Sequence, residues 1–216
     1  MRLGGFILCF FFLSGALHAQ TSDAGAWFSA SLSHKWNKKW SSELESQIRL
    51  DQNLSHLNRG FEELSLEYRP LSWLRFSGHY RATWVNNGNF RSRTFFDLAV
   101  KPNFGKISPF YRIRYQNQFS DFNREDVLNS NKKFIRNKFG LAWDLPKKFS
   151  ASASVDSWYN ISPTSRQMEN FRYFLGIEKE LNKKSAVELG YQIDWEVNQR
   201  NPARTFVIYL GWKHKI

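Results

Sequence analysis

The chain has little of what would tie a folded protein together covalently. Its single cysteine, Cys9, lies in the first twenty residues, so beyond them neither a disulfide framework nor a cysteine-ligated metal is available. Long apolar runs are also missing: after the opening segment no stretch approaches the roughly 20 residues that a membrane helix needs. Helical periodicity is absent beyond that segment as well. Acid is scarce relative to base, with 19 Asp and Glu against 31 Lys and Arg and a formal charge of +12. Such an excess points to nucleic acid or to an anionic surface.

The first residues narrow that choice. Met1-Arg2-Leu3 is followed by an apolar run from Phe6 to Leu13 and then by Ser14-Gly15-Ala16-Leu17-His18-Ala19. A positive start, a short apolar core and a small residue at the cut site make a secretory signal, expected to be removed after Ala19. The expected organisation is therefore a signal peptide over 1–19 and one domain over 20–216. Export argues against nucleic acid and favours phospholipid headgroups, lipopolysaccharide or anionic solutes as partners.

What remains is rich in aromatics, 17% of the chain, and its mean hydropathy is negative. Period-two alternation reconciles the two. In 185–197, Val187, Leu189, Tyr191, Ile193, Trp195 and Val197 share one face, and Glu188, Gly190, Gln192, Asp194 and Glu196 the other. Trp40, Leu44, Ile48 and Leu50 likewise oppose Glu43, Glu45, Gln47, Arg49 and Asp51. Leu74, Phe76, Tyr80, Ala82 and Trp84 oppose Arg75, Ser77, His79 and Arg81.

Eleven such segments occur: 26–36, 40–52, 60–69, 73–85, 90–101, 107–119, 133–144, 149–159, 169–180, 185–197 and 204–216. Most exceed the five or six residues of an ordinary soluble strand and suit the roughly 9–11 that a tilted strand needs to cross a bilayer. Tight turns at 37–39, 70–72, 145–148 and 181–184 alternate with longer polar connections at 53–59, 86–89, 120–132, 160–168 and 198–203. Aromatics flank both kinds of connection. Trp36, Trp40, Tyr68, Trp73, Trp143 and Phe149 lie beside the short turns, and Trp84, Tyr115, Phe119, Tyr159, Phe171 and Trp195 beside the long loops. Two aromatic girdles are expected from rings that prefer a water–lipid boundary. The fold class implied is all-β: a single antiparallel transmembrane β-barrel of 10–12 strands. Because single-chain bacterial barrels are normally even-stranded, twelve is favoured, with 20–25 supplying a short extra strand.

Particular segments carry a family resemblance. Trp27-Phe28-Ser29-Ala30-Ser31-Leu32, Asn37-Lys38-Lys39-Trp40-Ser41 with Glu43 to Arg49, Leu66-Glu67-Tyr68-Arg69 with Trp73-Leu74, Tyr111-Arg112-Ile113-Arg114-Tyr115 and Gly190-Tyr191 resemble a bacterial family of small outer-membrane barrels, domain of unknown function 2490. The likeness extends over nearly all of 20–216. It implies a membrane barrel and no established activity or functional residue to carry over; the outer-membrane assembly machinery is expected as a partner from the last segment. The last segment, Phe206 to Ile216, alternates to its end like a C-terminal assembly signal, although Ile216 departs from the phenylalanine usual there.

On the polar face, Arg75, Arg81, Arg93, Arg112 and Arg114 come from three consecutive segments, whereas Glu43, Glu45, Glu188, Asp194 and Glu196 come from the second and tenth. An arginine wall facing an acidic wall would set a field across the lumen and select small polar or anionic solutes. Against an open pore stand Phe95, Phe110, Trp158 and Phe174, which share the lumen face and favour a plug. Catalysis is not expected. His79 is not followed by a serine two positions on, the neighbouring Ser33 faces away from His34, and neither His56 nor His214 completes a triad. No metal-ligand spacing and no cofactor motif occurs. The function expected is a narrow pore or a plugged structural barrel. The alternatives are an anchor whose 120–132 loop binds a partner, a lipid-modifying enzyme, or a soluble secreted β protein.

Overall fold

A computed structural model describes residues 22–86, 90–120, 132–163 and 165–216. The expected signal peptide, residues 20 and 21 of the proposed extra strand, and 121–131 of the longest loop lie outside the described residues. The fold is all-β: β1 (Ser22–Lys35), β2 (Trp40–Asp51), β3 (His56–Leu71), β4 (Leu74–Val85), β5 (Phe90–Val100), β6 (Ile107–Ser120), β7 (Lys132–Leu145), β8 (Phe149–Ser162), β9 (Ser165–Glu180), β10 (Ser185–Glu196) and β11 (Arg204–Lys215). Each strand pairs with its sequence neighbours antiparallel, and β1 closes the barrel against β11.

Eleven strands form the wall, not the favoured twelve. Ser22–Gly25 lengthens β1 instead of making a strand of its own. An odd number of alternating strands leaves the first and last running the same way. The seam is accordingly parallel, with Ser22 beside Arg204 through to Ser33 beside Lys215. A parallel ladder is slightly weaker per residue, but closing it removes both exposed edges.

Polar side chains build the turns at one end. Asn37 Oδ1 accepts the backbone N–H groups of Lys39 (2.8 Å) and Trp40 (2.9 Å), and Asn182 Oδ1 accepts those of Lys184 and Ser185, both at 2.8 Å. The two Asn-Lys-Lys turns are thus one device used twice. At the opposite end the expected loops shrink. β3 begins at His56, and β8 and β9 run on until Ser162 pairs with Ser165, so 53–59 and 160–168 are mostly strand.

Side-chain alternation divides the wall into two surfaces. Phe96 is 64% exposed and Leu64, Phe139 and Leu175 are each 59% exposed, all on the outside, whereas Phe61, Phe95 and Gln116 inside are each 1% exposed. The barrel is apolar outward and charged inward, the reverse of a soluble protein's polarity.

Candidate functional site

The lumen places every predicted polar-face residue inward, and strand register decides their partners. Asp97 on β5 stands opposite Arg114 on β6 and accepts from its Nε at 2.6 Å and its Nη2 at 2.7 Å. Asp194 on β10, opposite Arg172 on β9, accepts the same fork at 2.6 and 2.8 Å. Glu63 on β3, opposite Arg81 on β4, accepts from its Nε at 2.6 Å. Asp156 on β8 takes Arg136 Nη2 at 2.5 Å and Arg112 Nη2 at 3.0 Å. These charge-assisted forks satisfy groups that would otherwise be stranded in a narrow interior.

The expected opposition of an arginine wall and an acidic wall is therefore corrected: most lumen charges pair side by side around the circumference. Arg81, Arg112 and Arg114 belong to this ladder, and so does Asp194. Glu188 pairs with Lys213, 2.7 Å away, which also bonds Glu178 at 2.5 Å. Arg75 lies 3.9 Å from Glu67 nearer the short turns, Glu43 is exposed in that mouth, and Glu196 accepts Ala203 N–H at 3.1 Å near the other end. Glu45 accepts only a 3.3 Å bond from Gln47, and Arg93 has no ion-pair partner among the described residues. Sequence reasoning missed Glu63, Asp97, Asp156, Arg136 and Arg172. Each sits on the polar parity of its strand, and that signal would have found them.

Rings fill the space between the rungs. Arg114 Cζ lies 3.9 Å from the centre of Phe95, Arg136 Cζ 3.8 Å from Trp158, Arg81 Cζ 3.7 Å from Phe61 and Arg49 Cζ 3.6 Å from Trp27. Phe174 lies so close to Gly176 and Gly190 that a Cβ on either would stand 2.7 or 2.5 Å from the ring. Glycine is needed there for the approach of the ring. The anticipated inward aromatics Phe95, Phe110, Trp158 and Phe174 all face the lumen, joined by Trp27 and Phe61. A central cavity of about 300 Å³ remains, flanked by one of about 500 Å³ at the short-turn end and one of about 270 Å³ at the loop end.

Outside, the girdle residues occupy the apolar face. Trp36 (65%), Trp40 (40%), Trp73 (44%), Trp84 (43%), Tyr115 (38%) and Tyr159 (39%) are exposed, and Trp143 and Trp195 are half-buried on the same parity. Trp40 packs on Tyr68 with ring centres 4.7 Å apart.

One histidine is engaged in an unanticipated way. His79 Nδ1 lies 2.9 Å from Glu63 Oε1, and its Nε2 lies 2.9 Å from Ser77 Oγ. The serine stands two positions before the histidine, on the same face of β4, not two after. His34 and His214 lie on the outer face; His214 Nδ1 is 2.9 Å from Ser185 Oγ. His56 pairs with Asp51 at 2.9 Å near the loop end.

A closed β-barrel with an apolar exterior and an ion-paired, ring-packed lumen is the class of protein these features define. The chain belongs to the family described as protein of unknown function (DUF2490), whose model matches residues 24–205. A search of curated proteins found no match.

Proposed function

We propose that this protein is an exported outer-membrane β-barrel with a plugged lumen, acting as a structural or ligand-holding barrel rather than as an open pore. The observation that carries the proposal is the inverted polarity of the wall. An apolar belt around the whole circumference far exceeds the few hundred Å² of contiguous apolar surface that water-exposed monomers tolerate, and hydrocarbon removes that cost. The strands, 11 to 16 residues long, exceed the span required. Girdle aromatics at both ends suit a headgroup boundary. Outer-membrane lipids and lipopolysaccharide are the surroundings this reading gives the belt, and the outer-membrane assembly machinery its partner in insertion. Bidentate rungs and stacked rings across the middle of the barrel support the plug.

The test is conductance of the refolded chain in a planar lipid bilayer, alongside its mobility shift on heating. Insertion without current is the expected result. Discrete, salt-dependent steps would replace the plug by a narrow pore, and failure to insert would end the membrane reading.

A second reading, a hydrolase, has the Ser77–His79–Glu63 relay in its favour. It joins a hydroxyl, an imidazole and a carboxylate in the order of a nucleophile, base and orienting acid, beside the cavity of about 500 Å³. The same Glu63 carboxylate is engaged by Arg81, which supports a purely structural role for the relay. A fluorophosphonate probe separates the two: labelling that disappears in Ser77→Ala would favour the enzyme, and an unlabelled, folded barrel would dismiss it.

A further inference from the structure

The ladder leaves positive charge over. Eight cationic side chains line the central cavity against four carboxylates. Asp97 and Asp194, set behind that lining, engage Arg114 and Arg172, so that an excess of two positive charges remains.

Three of the eight, Arg49, Arg93 and Lys138, form no ion pair among the described residues, against one lining carboxylate, Glu45, that forms none. Lys138 lies beside Phe110 and Phe174, 5.9 and 5.8 Å from the ring centres. The charges acting on Arg49 and on Arg93 include those of Arg59, Arg81 and Arg172, all of the same sign. Arg93 Nε is buried without a hydrogen-bond partner. Arg49 Cζ lies over Trp27, 3.6 Å from the ring centre, and its Nε donates to Gln47 Oε1 at 2.6 Å. Stacking fixes the plane of a guanidinium without using its N–H edges. The terminal nitrogens of Arg49 therefore have no protein acceptor among the described residues.

Two enclosed cations without counter-charge destabilise a barrel unless something supplies the charge. We propose that the central cavity binds a small dianion of the phosphate class, gripped by Arg49 and Arg93. A phosphate group carries about −1.5 to −2 at neutral pH, matching the excess, and its oxygens accept the guanidinium fork in pairs. The volume, about 300 Å³, admits a phosphate with a small organic substituent. This site depends on the closed lumen and not on where the barrel resides.

The experiment uses the full chain in non-ionic detergent, titrated with inorganic phosphate at constant ionic strength. Calorimetry and the thermal unfolding midpoint are the readouts. Saturable one-to-one binding and a raised midpoint are expected, weakened about tenfold or more in Arg49→Gln and in Arg93→Gln. Lys147→Gln, on a turn outside the cavity, is expected to bind as the unaltered chain does. Arg49→Lys and Arg93→Lys keep the charge but lose the fork, and serve where the glutamine variants do not fold. Competition by a short-chain phosphatidic acid would assign the phosphate to a lipid headgroup, and lack of competition to a soluble phosphate; both retain the site. No saturable response of the unaltered chain, an equal response to sodium chloride, or binding unchanged in the variants would overturn the proposal.

Discussion

Arg114 on β6 and Asp97 on β5 face each other directly across the ladder and share two hydrogen bonds, of 2.6 and 2.7 Å, inside the lumen. Their side chains are 9% and 7% exposed, so neither charge has bulk water to fall back on. Removing one partner strands the other. Asp97→Ala is expected to destabilise the barrel by about 3–5 kcal/mol, and Asp97→Leu combined with Arg114→Leu by less than Asp97→Ala alone. Urea unfolding midpoints of the reconstituted barrel measure both. A double variant as damaged as the single one would show that the pair contributes packing and not charge compensation.

The two faces of the wall are separable at one level. Leu189, 53% exposed outside, neighbours Gly190, which lies in one cross-strand row with Gly176 and the lumen-facing Ser152. On the membrane placement proposed above, Leu189→Arg should cost roughly 2–4 kcal/mol and impair assembly into membranes, because arginine would then meet hydrocarbon. Ser152→Arg should be far milder. Equal damage, read from the folded fraction on cold gels, would undo the assignment of faces.

Phe174 and Gly190 provide a packing test. A Cβ at Gly190 would stand 2.5 Å from the ring, so Gly190→Val is expected to cost about 1–3 kcal/mol and to be partly rescued by Phe174→Leu. The thermal midpoints of the single and double variants decide; no rescue would mean that the glycine serves another neighbour.

The turn after β7 offers a gain. Lys147 and Lys148 hold φ of 59° and 63°, a left-handed pair that suits Asn-Gly far better than two lysines. Lys147→Asn with Lys148→Gly is expected to stabilise the barrel by about 1 kcal/mol, seen as a higher unfolding midpoint. An unchanged or lower midpoint would show that the lysines contribute something the backbone does not.

Much of this architecture was legible before any fold was known. Alternation in 40–52 and 185–197 put Leu44, Ile48, Leu189 and Ile193 on one surface and Glu45, Arg49, Glu188 and Asp194 on the other, because a pleated strand sends neighbouring side chains to opposite sides. The short turns were visible for a similar reason. Asn37 and Asn182 each bond to their own backbone within three residues, so the device is local in sequence. The ends of β3, β8 and β9 were placed less well, since polar residues at 56–59 and 160–168 read as loop although cross-strand pairing makes them strand.

The sequence by itself thus determined the strands, their two faces and the aromatic belts, all of which follow from local periodicity. Only the tertiary structure decided what the lumen charges do. Whether Arg114 confronts an acidic wall or bonds Asp97 beside it depends on the register between strands, on the odd strand count and on the parallel closure of β1 on β11. Those are relations between segments, fixed by how the sheet curls shut, and one strand read alone does not contain them. The same closure leaves Arg49 and Arg93 without an ion pair among the described residues.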